Sequence, residues 1–70
     1  MFYLKIKNGE SYALTGEFRL LKSAVKMGID LQKGVTPAPM FALYEDDAKV
    51  GEIMPSGTFF IKSSHVDHFL

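Results

Sequence analysis

The fold is decided by one stretch of the chain, Thr15-Gly16-Glu17-Phe18-Arg19-Leu20-Leu21-Lys22-Ser23-Ala24-Val25-Lys26-Met27-Gly28. At 100° per residue its apolar side chains fall on one side of a helix, which predicts an amphipathic helix docked on a sheet. The predicted apolar face consists of Phe18, Leu21, Ala24 and Val25, with Leu20 and Met27 on one flank. We expect Thr15 to cap the start of this helix and Gly28, followed by Ile29, to end it.

A group of basic side chains lies on the opposite side of the predicted helix. It consists of Arg19, Lys22 and Lys26, which fall within about 60° of one another. We call these three residues the basic ridge. Ridges of this kind are commonly solvated surface, but they also offer a contact to an acidic partner.

The start of the chain predicts a hairpin. From Phe2 the side chains alternate, with Phe2, Leu4 and Ile6 on one face and Tyr3, Lys5 and Lys7 on the other, which is typical of a half-buried strand. Asn8-Gly9 is a strong turn signal. A two-residue loop at Asn8-Gly9 would pair Leu4 with Ala13. A three-residue loop with Gly9 in the left-handed region would instead pair Leu4 with Tyr12 and Phe2 with Leu14. Because the second register places more apolar side chains on the inner face, we expect it.

The second half of the chain predicts three more strands. We expect residues 29–39 to form an irregular connection that ends in a stiff, extended segment, Thr36-Pro37-Ala38-Pro39. Strands are predicted over residues 40–44 and 49–54, on either side of a polar turn at residues 45–48. Pro55-Ser56-Gly57 then predicts a tight turn. That turn pairs Ile53 with Phe59 and Gly51 with Ile61.

These elements predict a small single α+β domain over residues 1–70, of order ββαβββ. Its antiparallel sheet of about five strands carries one helix packed on one face. Residues 63–70 fit a short helical turn, with a sixth strand as the alternative. The last two residues, Phe69 and Leu70, are expected to dock against the body of the domain or a partner.

Composition narrows the class of protein. The 70 residues contain no cysteine, which excludes disulfides and thiolate metal sites and fits a cytoplasmic setting. No apolar run is long enough to span a membrane, and Lys5 and Lys7 interrupt any signal-peptide core. Net charge is zero, yet residues 1–34 hold six basic and three acidic side chains, whereas residues 35–70 hold two basic and five acidic ones. The halves therefore carry +3 and −3, which predicts an electrically dipolar surface if they lie apart.

Residues with site-like chemistry cluster near the end of the chain, at His65, Asp67 and His68. Two histidines without a third strong ligand do not make a zinc site, so we expect no metal and no cofactor. A serine, a histidine and an acid also occur there, but adjacency in sequence is not how catalytic triads are assembled. We therefore expect a protein that is not an enzyme.

Nucleic-acid binding is the alternative hypothesis. Tyr3, Lys5 and Lys7 alternate on one face of the first strand, and exposed aromatic and basic side chains on a sheet can stack on and neutralise a single strand. The basic ridge could add phosphate contacts. The isoelectric point of about 6.7 is lower than that of typical nucleic-acid-binding domains.

Protein binding is the leading hypothesis. The basic ridge could meet an acidic partner, or the acidic residues Glu45, Asp46 and Asp47 could meet a basic one. Size and composition are typical of phage or mobile-element accessory proteins, so we expect an inhibitor or regulator of a larger host complex. A homodimer is also possible if Val50, Met54 and Phe60, which are predicted to share a face, form an exposed patch.

Overall fold

The chain forms one five-stranded antiparallel sheet with a helix on one face, in a computed structural model that describes residues 1–69 and the side chains of residues 1–67. The strands are β1 (Phe2–Asn8), β2 (Ser11–Phe18), β3 (Phe41–Glu45), β4 (Ala48–Ile53) and β5 (Phe59–Ile61). The helix α1 spans Leu21–Gln32, and a 3-10 turn at Ser63–His65 leads into the short helix α2 (Val66–Phe69). The strand order is β2-β1-β3-β4-β5, so the predicted α+β fold of order ββαβββ is confirmed.

Helix α1 begins and ends later in the chain than predicted. It spans Leu21–Gln32, whereas the sequence predicted a helix over residues 15–28. The difference arises because residues 15–18 continue β2, whose last residue Phe18 lies opposite Phe2 of β1. Thr15 therefore does not cap the helix. Leu20 occupies the N-cap position and makes no side-chain capping hydrogen bond.

The buried face of α1 matches the prediction at its centre. The predicted residues Leu21, Ala24 and Val25 are buried. Leu20 and Met27 were expected to extend this face but remain exposed, since they lie on the flank of the helix as it is actually placed. The apolar stripe is thus narrower than the sequence suggests.

Gly28 lies inside α1 and does not end it. A Cβ atom at this position would collide with Cδ1 of Ile53, so the missing side chain lets the helix approach β4 closely. The glycine that follows the helix is Gly34, with a φ of 78°. Close packing against the sheet, and not helix termination, accounts for Gly28.

The pairing of β1 with β2 differs from both predicted registers. A two-residue loop, Gly9-Glu10, joins the strands, and Asn8 lies opposite Ser11. Gly9 has a φ of 67° at the first loop position, as a type II′ turn requires. The register then shifts next to Leu4, which lies opposite Gly16. The expected three-residue loop is therefore wrong, and so is the two-residue loop at residues 8–9.

The last three strands pair largely as predicted. Two predicted pairs are confirmed, Ile53 with Phe59 and Gly51 with Ile61. However, the register between β3 and β4 shifts after Leu43, and Val50 is turned into the core. The prediction that Val50 shares a face with Phe60 is therefore wrong.

The core lies between α1 and the inner face of the sheet. Its completely covered side chains come from β1, α1, β3 and β4, and they are Leu4, Leu21, Phe41, Leu43, Val50 and Ile53. Each such side chain contributes about 1.5–3 kcal/mol when it leaves water. Because the core has members in both halves of the sequence, neither half can bury it alone.

A buried glutamine holds the connection between α1 and β3. The connection, residues 33–40, bends at Thr36 and Pro37, where a straight extended segment was expected. Gln32 is 8% exposed, and its Nε2 donates hydrogen bonds to the carbonyl oxygens of Pro39 (2.9 Å) and Met54 (2.8 Å). One side chain thus ties the end of the helix to the connection and to the turn after β4.

The end of the chain is helical through residue 69, as the preferred interpretation predicted, and the sixth strand is not formed. Helix α2 contacts α1. The expected docking of Phe69 and Leu70 lies outside the described residues and side chains, as does the side chain of His68.

Candidate binding surface

The sheet face opposite α1 carries exposed aromatic and basic side chains. We call it the open face. Side chains of paired residues share a face of the sheet, and along each strand the side chains of this face alternate with those of the core. The open face therefore includes Tyr3, Lys5, Lys7, Tyr12, Leu14, Glu17, Tyr44, Lys49, Glu52 and Phe60. Leu14 and Phe60 are 57% and 60% exposed, and Tyr12 is 37% exposed. Exposed large apolar side chains on one surface are typical of an interaction site.

A shallow depression of about 390 Å³ lies on the open face. It is lined by Tyr3, Lys5 and Leu14, and by Asp46 and Asp47 from the turn between β3 and β4. Because β1 and β3 are neighbours in the sheet, two groups that the sequence offered as rival sites border the same depression. The surface therefore presents cationic, anionic and apolar groups within one small area.

Two of the open-face lysines are engaged within the molecule. Lys5 Nζ lies 4.2 Å from the centre of the Tyr44 ring, a cation–π contact that holds the cation above the sheet. Lys49 Nζ lies 2.6 Å from Glu52 Oε1. The hydrogen bond from Lys49 to Glu52 raises the pKa of this lysine above its usual value, against a smaller opposing effect of burial. These contacts order the face and reduce its free positive charge.

The three acidic residues predicted as one group are separated by the fold. Asp46 and Asp47 form the two-residue turn that lines the depression. Glu45 is the last residue of β3, lies opposite Phe2, and approaches His65 Nε2 with its Oε1 at 3.0 Å. Its carboxylate thus contacts the C-terminal turn, while the two aspartates remain available on the other side of the sheet.

Asp46 has a φ of 53°, in the left-handed region that favours glycine. We expect Asp46→Gly to raise the free energy of unfolding by about 0.5 kcal/mol, because relief of the backbone strain exceeds the added chain entropy. Asp47→Gly is the matched control, since it removes the same charge from a position outside that region. It should lower the stability by about 0.5 kcal/mol. Urea unfolding of both variants measures the difference, and equal effects would contradict the strain argument.

The basic ridge is only partly assembled. Arg19 lies between β2 and α1, so it does not share the helix face with Lys22 and Lys26. The two lysines line an apolar depression of about 290 Å³ that also includes Val25, Ile29 and Phe59. This flank of α1 therefore faces β5, and the predicted row of three cations is reduced to two.

Ser64, His65 and Glu45 form a chain of hydrogen-bonding contacts. Ser64 Oγ lies 3.0 Å from His65 Nδ1, and His65 Nε2 lies 3.0 Å from Glu45 Oε1. The serine and the histidine are adjacent, as the second and last residues of the 3-10 turn Ser63–His65. Such a local contact orients the imidazole, whose other nitrogen links this turn to the end of β3. The sequence offered no signal that Glu45, twenty residues earlier, would be the partner.

Comparison with protein-family models, curated proteins and solved structures found no match. Within residues 1–69, no helix is long and apolar enough to cross a membrane. Among the described side chains, no group of three or more histidine, aspartate or glutamate residues converges as metal ligands would. The assignment of a function therefore depends on the surface geometry of the chain itself.

Proposed function

We propose that this protein is a non-catalytic protein-binding module that uses the open face as its contact surface. The observation that carries the proposal is the depression lined by Tyr3, Lys5, Leu14, Asp46 and Asp47, where a tyrosine and an exposed leucine lie among charges of both signs. Aromatic and aliphatic contacts with a polar rim are the usual composition of a protein interface. A domain of this kind would act as an inhibitor or regulator of a larger complex in the cytoplasm.

The geometry favours a protein over a single-stranded nucleic acid. Asp46 and Asp47 border the same depression as Tyr3 and Lys5, and two carboxylates there would repel a phosphate backbone. Lys5 is already held over Tyr44. A protein partner can match both signs of charge, whereas a nucleic acid can match one.

The test is capture of partners from a lysate of the source cell, with and without nuclease, on immobilised wild-type chain and two charge-reversal variants. Asp47→Lys changes the rim of the depression. Lys22→Glu combined with Lys26→Glu is the matched control on the helix flank. We expect a nuclease-resistant protein partner whose affinity falls at least about tenfold with Asp47→Lys, as for loss of a favourable charge contact.

The remaining results of this experiment would count against the proposal. Equal capture by wild type and Asp47→Lys would exclude the depression as the contact. Loss of partner capture with the Lys22→Glu, Lys26→Glu variant alone would indicate that the contact site lies on the flank of α1. Loss of capture on nuclease treatment would indicate the nucleic-acid alternative, in which Tyr3, Lys5 and Lys7 carry the binding.

A further inference from the structure

We propose that two copies of this chain pair through strand β2, edge to edge and antiparallel, to form a symmetric dimer. β2 is the first strand in the order β2-β1-β3-β4-β5, so one side of its eight-residue backbone pairs with β1. No other strand within residues 1–69 pairs with its outer side. A strand edge of this length is a template for another strand.

The hairpin geometry identifies which backbone groups point outward from this edge. Asn8 and Ser11 flank the two-residue loop, and such a pair exchanges both of its backbone hydrogen bonds. Hydrogen-bonded and non-hydrogen-bonded residue pairs alternate along an antiparallel pair of strands. Ala13, two residues after Ser11, therefore also directs its backbone N–H and C=O groups toward β1. The N–H and C=O groups of Tyr12 and Leu14 therefore point away from the sheet.

These outward groups are self-complementary about a two-fold axis at Ala13. A second copy rotated about that axis places Tyr12 of one copy opposite Leu14 of the other, and the reverse. Each of the two pairs exchanges two backbone hydrogen bonds, which gives four in the centre of the interface. The isologous arrangement is the one that closed dimers use.

The charge pattern of β2 permits this approach. The six residues Ser11, Tyr12, Ala13, Leu14, Thr15 and Gly16 carry no charge and include no proline, so the usual protection of an edge strand is missing. The flanking acids, Glu10 and Glu17, fall opposite Gly16 and Gly9 of the other copy in the proposed register. No like charges are therefore brought together.

Apolar side chains lie on both sides of the proposed seam. On the open face, Tyr12 and Leu14 would contact their counterparts. On the helix side, one flank of α1 faces β5, because Lys22 and Ile29 line a depression with Phe59.

The opposite flank of the helix consequently faces the β2 edge. It carries three exposed apolar side chains, Leu20, Met27 and Leu31. A two-fold axis perpendicular to the sheet keeps both helices on the same side, so these two flanks face each other across the axis. Because a stable interface buries about 1,000 Å² or more, the proposal requires these flanks to make contacts in addition to the strand pairing.

This dimer does not depend on the proposed protein partner. The two contacts share the side chain of Leu14, which lines the depression and lies at the seam. The dimer otherwise depends on backbone groups of β2 and on the helix flank, whereas the partner contact depends on the charged and aromatic side chains around the depression. Either can fail while the other stands, and the dimer is tested with the purified chain alone.

The primary test is molar mass by sedimentation equilibrium from about 1 µM to 1 mM. We expect the wild-type chain of 7.8 kDa to approach twice that mass as its concentration rises. Leu14→Pro should weaken association at least about tenfold, since it removes an outward N–H without removing a hydrogen bond to β1. Tyr12→Pro acts on the other outward residue and keeps the test valid if the first variant does not fold.

Two further variants locate the interface. Met27→Glu should weaken association, because it places a carboxylate on the helix flank that faces the axis. Phe60→Ser removes an even more exposed apolar side chain from β5 at the far edge of the sheet, and it should leave the mass unchanged.

Hydrogen exchange of the wild-type chain supplies a measurement that needs no variant. The amides of Tyr12 and Leu14 should become protected as concentration rises, while the amide of Ala13 should be protected throughout. A monomeric mass up to 1 mM, or rapid exchange at Tyr12 and Leu14 at every concentration, would overturn the proposal. Dissociation by Phe60→Ser but not by Leu14→Pro would overturn it as well.

Discussion

Replacing Gly51 with alanine is expected to lower the free energy of unfolding by about 3 kcal/mol. Gly51 lies in β4, and a Cβ atom there would collide with the backbone carbonyl oxygen of Phe60. It would also lie 3.1 Å from Ile61 Cδ1 and 3.2 Å from Leu43 Cδ1. Since a backbone carbonyl cannot rotate away as a side chain can, β5 must move off β4 to make room.

Gly28→Ala is the matched control for this prediction. Its added Cβ would collide with Cδ1 of Ile53, the far end of a flexible side chain that can change rotamer. Alanine also gains about 1 kcal/mol of helix propensity over glycine. We therefore expect a net loss of about 1 kcal/mol. Urea midpoints at constant slope measure both variants, and a larger effect at Gly28 than at Gly51 would refute the backbone argument.

Replacing Gln32 with methionine is expected to lower the free energy of unfolding by about 2–3 kcal/mol. The change keeps the length of the side chain but removes its amide, which donates to the carbonyl oxygens of Pro39 and Met54. The carbonyl oxygen of Pro39 would then lose this donor in a partly buried site, and that of Met54 would keep only its hydrogen bond from the Gly57 N–H. Chemical denaturation measures the loss, and a methionine variant as stable as wild type would show that water replaces the amide.

Gln32→Glu adds a pH dependence with a defined sign. A carboxylate at this place faces two carbonyl oxygens, which disfavours the charged form and raises its pKa above the unfolded value of about 4.3. For an acid with a raised pKa in the folded state, stability falls as pH rises above the unfolded value. The deficit of Gln32→Glu relative to wild type should thus be larger at pH 7 than at pH 4. The deficit of Gln32→Met should stay constant, and a parallel pH profile for the two variants would contradict the argument.

The sequence predicted what depends on local pattern. The class of fold, the buried residues Leu21, Ala24 and Val25, and the register set by Pro55-Ser56-Gly57 are confirmed. Each follows from side-chain periodicity or from a turn whose residues have few alternatives. These signals lie within a few residues of one another.

The sequence failed where pairing overrides local preference. Thr15 and Gly28 are residue types expected at helix ends, yet Thr15 lies in strand β2 and Gly28 lies inside α1, close to Ile53. The bulges at Thr15 and Val50 shift the strand registers, and each is followed by a glycine, Gly16 or Gly51. A glycine within a strand can indicate a bulge, but it also occurs at turns and close contacts, so it did not fix these registers. Propensity is a weak signal when tertiary contacts compete with it.

The sequence predicted most residues of the candidate surface but not that they lie together. Tyr3, Lys5, Asp46 and Asp47 were each singled out, but only the order of the strands shows that they meet in one depression. Leu14 was expected to face inward, because the predicted register placed it opposite Phe2. A one-residue slip in pairing reverses the face of a side chain, so no local pattern could have corrected it.

The central position of β1 has a consequence for how the chain acquires its structure. β1 comes first in the sequence but lies between β2 and β3, so Phe2 must find Glu45 before the sheet is complete. Pairs so distant in sequence form slowly and late, because closing the intervening loop costs conformational entropy before the new contacts lower the free energy. During synthesis the first hairpin and the helix would therefore lack a complete core until β3 and β4 have been made. The molecule should then acquire its core in a single cooperative step.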